Sequence, residues 1–88
     1  MYRLTGKIPK GAEAHHIFPH KYIDEFADIG IDVNKPKYGA WWEKFDHRSK
    51  ASEYNTVWQR FLQTNPTKKQ ALKFGKKMGN RYGFKPNY

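Results

Sequence analysis

Three of the four histidines in this chain fall within one hexapeptide, His15-His16-Ile17-Phe18-Pro19-His20. In an extended backbone, neighbouring side chains point to opposite sides, so His15 and His16 must serve different surroundings. One imidazole can hold a metal ion while the other addresses a substrate from the adjacent position. The plainer alternative is one packed histidine beside one exposed one. Further along, Glu43, His47 and Ala51 stand at i, i+4 and i+8, positions that share a face on a helix. Glu43 and His47 would then offer a carboxylate and an imidazole one turn apart, a donor pair that Zn²⁺ and similar ions accept. An ordinary i,i+4 surface pair is the alternative there.

The elements that must position these residues are short. Ala14 to Phe18 reads as a strand ended by Pro19. From His20 to Ile29 the apolar residues Tyr22, Ile23, Phe26 and Ala27 mark one helix face, with Gly30 placed to cap its C-terminus. Ile31-Asp32-Val33 alternates like a brief strand, and 34–39 reads as a loop. Ala40 to about Lys50 is expected to be helical, with Trp41, Trp42 and Phe45 as its apolar side. A separate helix is expected from Glu53 to Leu62, packing Tyr54, Val57, Trp58, Phe61 and Leu62. Asn65 as N-cap with Pro66 at the first helical position predicts a last helix. Its shared face is Leu72, Gly75 and Met78, and Gly79 or Gly83 ends it. The expected fold is mainly α with a small β-hairpin, an α+β domain spanning residues 1–88, with 1–11 as an irregular lead-in.

A chain of 88 residues buries only about 60–65% of its unfolded surface, so its core is modest. With no cysteine, neither disulfides nor thiolate-bound metal can staple it, and packing falls to three Trp, six Tyr and six Phe. No stretch approaches the roughly 18 apolar residues of a membrane span, and Met1 to Gly6 lacks the apolar run of a secretory signal. The net charge is +9, and its distribution is uneven. Residues 1–53 carry nine Lys/Arg against all eight Asp/Glu, whereas residues 54–88 carry eight Lys/Arg and no acid. That acid-free stretch is interleaved with Trp58, Phe61, Phe74, Tyr82, Phe84 and Tyr88, a pattern suited to a polyanion. Lys50, Arg60, Lys68 and Lys69 are candidate nucleic-acid contacts, together with Lys73, Lys76, Lys77 and Arg81. A solvated basic face, or a patch for an acidic protein, is the competing explanation.

Taken in order, Ala14-His15-His16-Ile17-Phe18-Pro19, Gly30-Ile31-Asp32-Val33, His47-Arg48 and Tyr54-Asn55-Thr56-Val57-Trp58-Gln59-Arg60-Phe61 resemble a known family. These are the HNH (His-Me finger) nucleases with an Ala-His-His signature that form C-terminal toxin domains of bacterial polymorphic toxins. The likeness covers roughly residues 12–84 and extends to the Asn65-Pro66 helix start and Met78…Tyr82-Gly83-Phe84. It implies a ββα-metal core with additional C-terminal helices and a metal-dependent endonuclease acting on DNA, with RNA as the alternative substrate. His15 and His47 would be metal ligands, His16 the general base and Arg48 a phosphate clamp, with Asn55 either matching the family's aromatic-Asn step or capping or bracing the second helix. One divalent ion is implied, whether Zn, Mg, Mn or Ni. The resemblance further implies a monomeric domain delivered into the cytoplasm of a rival bacterium and held in check by an immunity protein, acidic where it covers the basic surface.

The chain departs from the family where a second helical histidine usually stands, at Ala51. Either Glu43 or solvent takes that ligand's place, or Ala51 is an inactivating substitution. The asparagine of the family's name falls on Asn34 or is replaced by Tyr38. A non-catalytic nucleic-acid-binding module with structural histidines is the main rival reading, and a binder of acidic proteins is a third.

Overall fold

The computed structural model describes residues 11–88, so the expected lead-in over 1–11 lies almost wholly outside the described residues. Strand β1 (Ala12–His16) pairs antiparallel with strand β2 (Gly39–Glu43), with His15 opposite Ala40 and His16 opposite Gly39. The segment between them holds a 3₁₀ turn at His20–Tyr22, helix α1 (Ile23–Asp28) and a second 3₁₀ turn at Pro36–Tyr38. Two helices follow, α2 (Lys44–Leu62) and α3 (Lys68–Tyr82). The fold is α+β and mostly helical, as the sequence led one to expect. Among the described residues no helix is long and apolar enough to cross a membrane.

Several local expectations give way. Ala40 to Glu43 is not helical: Ala40 and Trp42 are buried and Glu43 is exposed, the alternation of a strand with one face on the core. β1 needs a ladder partner for its backbone groups, and two adjacent tryptophans suit a pleated, half-buried surface. The helix begins at Lys44 and runs unbroken to Leu62, merging the two helices expected over 40–50 and 53–62. Phe45, expected on an apolar face, is 77% exposed. Ile31 and Val33 are buried, yet they belong to no strand among the described residues. The last helix is capped by Thr67 rather than Asn65, through a capping box in which Thr67 and Gln70 satisfy each other's backbone N–H groups. Asn65 takes a left-handed conformation (φ 54°) just after α2. Gly30 (φ 87°) and Gly83 (φ 83°) end α1 and α3 in left-handed geometry, the conformation glycine adopts without a Cβ penalty.

The core is aromatic. Phe18 makes ring contacts with Phe26, Tyr38 and Trp58 at 5.2, 5.1 and 5.4 Å, pairs worth about 0.5–1.5 kcal/mol each beyond the area they bury. Two contacts tie this core to the histidine pair. The Tyr54 hydroxyl on α2 donates to the Ile17 carbonyl at 2.6 Å. At Gly75 of α3 there is no side chain to hold Ile17 and Phe18 away, and a Cβ there would meet both within 3.3 Å. The residues just after His16 are therefore clamped between α2 and α3.

Candidate active site

A cleft of about 270 Å³ opens over β1, the 3₁₀ turn and α2, lined among others by His15, His16, His20, His47, Ala51 and Asn55. All four histidines of the chain line this one cleft. β1 delivers the pair to different surroundings, as the alternation requires. His15 faces inward, 5% exposed, its ring 4.7 Å from Trp42 and from Tyr54, 4.9 Å from Phe84 and 5.0 Å from His47. Burial, reinforced by His47 and His16 nearby, pushes the His15 imidazole down from 6.5 to about 2.

That displacement predicts an acid-sensitive fold. A histidine whose folded pKa is depressed takes up protons more readily when unfolded, so its stabilising share is complete above about 6.5 and is lost as pH falls towards 2. His15 alone should contribute a slope of about 1.4 kcal/mol per pH unit in the range just below 6.5. Urea unfolding of the metal-free chain from about pH 7.5 to 5, where the carboxylates remain mostly ionised, should show this slope. His15→Leu should remove about one proton's worth of it. Identical slopes in both proteins would contradict a buried, neutral His15.

His16 lies half-buried on the other side of the strand. Its Nε2 donates to Asn34 Oδ1 at 3.3 Å, and its ring stands 5.7 Å from that of His20. The loop that presents Asn34 is braced by its own sequence: Asp32 Oδ1 accepts from the Asn34 N–H at 3.0 Å, and the Asp32 carbonyl accepts from Lys35 N–H at 3.1 Å. Asn34 is thus the asparagine beside the histidine pair, whereas Tyr38 is a core residue packed on Phe18. Burial lowers the His16 pKa, the Asn34 hydrogen bond opposes this, and nearby His20 lowers it further.

The helical candidates separate. His47 lies near the start of α2, its Nδ1 3.3 Å from Glu13 Oε1 on β1. Ala51, one turn on, forms part of the cleft wall, and Asn55 lies a further turn along. Glu43 does not line the cleft beside His47. It is the N-cap of α2, with non-helical backbone, and its two carboxylate oxygens accept from Phe45 N and Asp46 N at 3.1 and 2.9 Å. Because the helix starts after Glu43, the two residues are not paired within one helix as the spacing suggested. Arg48 is not in the cleft wall either: its Nη2 and Nε meet the Glu13 carboxylate at 3.0 and 3.3 Å. The eight basic candidates, Lys50, Arg60, Lys68, Lys69, Lys73, Lys76, Lys77 and Arg81, are all exposed. Six of them lie on α3, which contributes nothing to the cleft lining.

Sequence reasoning gave no site role to Glu13 or His20. The signal for Glu13 was its position two residues before His15, on the same face of β1. The signal for His20 was membership of the same hexapeptide, folded back by Pro19 into the 3₁₀ turn. Lys21, beside it, also reaches the cleft.

No family model, no curated protein and no solved structure matches this chain.

Proposed function

We propose that this chain is a metal-dependent endonuclease of the His-Me finger kind, cleaving DNA phosphodiester bonds as a toxin domain. The observation that carries this reading is the meeting of His15 and His16 from β1 with His47 from α2 in one cleft, His16 being held by Asn34.

The donor set fits an open metal site rather than a closed one. His15 and His47 are in ring contact across the cleft-lining strand and helix, and burial keeps His15 in the neutral form that coordination requires. Among the described residues no group of three or more His, Cys, Asp or Glu is placed to hold an ion. His15 and His47 would hold the ion, with solvent and phosphate as its further ligands. A bound divalent ion supplies Lewis-acid stabilisation of the scissile phosphate and the leaving oxygen.

The chain's own residues supply the proton chemistry. Asn34 Oδ1 can only accept, so it fixes the His16 proton on Nε2 and leaves Nδ1 as the nitrogen that takes a proton from the attacking water. The lowered His16 pKa keeps that base neutral at physiological pH. His20 and Lys21 offer donors to phosphate oxygens at the rim. The exposed basic face of α3 adds sequence-independent affinity for the backbone. Delivery into a rival cell and an acidic immunity protein belong to the same proposal, resting on the family resemblance and the basic surface.

A second reading is a nucleic-acid-binding module with structural histidines, or a ribonuclease on the same site. One observation favours the structural version: the His15 ring is packed among Trp42, Tyr54 and Phe84 as a core residue would be. A plasmid assay with Mg²⁺, Mn²⁺, Ni²⁺ and Zn²⁺, run beside single-stranded RNA, separates them. The nuclease reading expects plasmid cleavage that EDTA abolishes. A salt-sensitive gel shift, with no cleavage by this chain or by Ala51→His in any metal, would establish the binding module instead.

A further inference from the structure

We propose that Glu13 is a positioning residue that fixes which ring nitrogen His47 presents to the cleft, with Arg48 holding the carboxylate in place. Glu13 and His15 share one face of β1, since they are two residues apart in a strand. That face packs on the first turns of α2, where His47 and Arg48 are consecutive. Glu13 Oε1 lies 3.3 Å from His47 Nδ1 and 3.3 Å from Arg48 Nε, and Oε2 lies 3.0 Å from Arg48 Nη2.

A carboxylate is an acceptor only, so His47 must carry its proton on Nδ1 to make this bond. The nitrogen left with a lone pair is Nε2, on a ring that lines the cleft beside His15. An unrestrained neutral imidazole prefers the opposite tautomer, with the proton on Nε2. The arrangement therefore reverses an intrinsic preference at the one helical histidine of the site. The two-point grip of Arg48 sets the carboxylate's orientation, as a guanidinium fork does with a planar acceptor. Glu13 accepts from both neighbours and is absent from the cleft lining, which makes it a support for a ligand rather than a ligand itself.

The tautomer does not depend on the nuclease reading, but its consequence for metal binding does. The test is a long-range ¹H–¹⁵N correlation spectrum of the metal-free, ¹⁵N-labelled chain at about pH 8, where imidazole is neutral. The expected result is Nδ1–H for His47 in the parent, retained in Glu13→Gln, whose amide oxygen still accepts, and changed to mainly Nε2–H in Glu13→Ala. Zn²⁺ titration by calorimetry should then show affinity roughly 10- to 100-fold weaker in Glu13→Ala. Nε2–H in the parent overturns the proposal, as does an unchanged tautomer in Glu13→Ala. If Glu13→Ala does not fold, the parent and Glu13→Gln spectra decide the tautomer. An altered tautomer with unaltered Zn²⁺ affinity overturns the positioning role. Should the parent show Nδ1–H but bind no Zn²⁺, the tautomer stands and the metal-dependent reading of the cleft falls.

Discussion

His16→Ala is expected to lower plasmid cleavage by a factor of about 10²–10⁴, the usual contribution of a positioned general base, with the fold and DNA affinity retained. The imidazole of His16 is directed at the cleft and hydrogen-bonded to an exposed loop, while the adjacent Ile17 and Phe18 carry the packing. Truncation therefore removes the proposed base without opening a hole in the core, and thermal unfolding should move little. The basic residues of α3 are untouched, so a gel shift at low salt should survive. The pH profile gives an independent reading. Because burial lowers the His16 pKa, the acid limb of kcat/KM should lie below the ordinary imidazole value of 6.5. Asn34→Ala removes the opposing hydrogen bond and should shift that limb further towards acid, since the bond raises the His16 pKa. Cleavage by His16→Ala at the parent rate would remove His16 from the chemistry.

What the sequence made legible was the division of the histidine pair, because strand alternation is a property of the backbone and needs no tertiary context. His15 is buried and His16 half-buried on the other side of the strand, although both reach the cleft. The helical part of the site was harder. Trp41, Trp42 and Phe45 fit a helix period as well as they fit the end of a strand, and only pairing with β1 decides between them. That single decision moved Glu43 from a ligand position to an N-cap. Its two oxygens are spent on the backbone of α2, a role its sequence spacing to His47 concealed. Arg48 was assigned to phosphate because the family resemblance implied it. Its partner turned out to be Glu13, 35 residues earlier, a contact no local pattern announces. Asn34 was legible as a residue type but not as a partner. Its approach to His16 depends on the Asp32-centred turn and on the long excursion between β1 and β2. The basic residues of the acid-free C-terminal stretch proved to be exposed, most of them on α3, and none of them lines the cleft.

Ala51→His should tighten divalent-metal binding by tenfold or more and raise cleavage above that of the parent. The geometry favours it in three ways. α2 is continuous from Lys44, so residues 47 and 51 sit one turn apart on the same face, and both line the cleft. Glu43 fixes where that helix begins, which fixes the direction of both side chains. Ala51 is half-buried at the cleft wall, so a longer side chain there has open space before it rather than core. A third imidazole beside His15 and His47 would complete the three protein ligands typical of catalytic zinc sites, with one position left for water or phosphate. The cost is the lower helix propensity of histidine, at most about 0.7 kcal/mol, and metal should more than offset it. Unfolding temperatures with and without Zn²⁺ read this directly, because an ion that binds only the folded chain stabilises it by mass action. A zinc-dependent rise larger in Ala51→His than in the parent, accompanied by EDTA-sensitive cleavage, would mark position 51 as a ligand position that alanine leaves vacant. Equal rises in the two proteins would mean that the ion, if held at all, is held away from α2, and that His47 serves the fold rather than the metal.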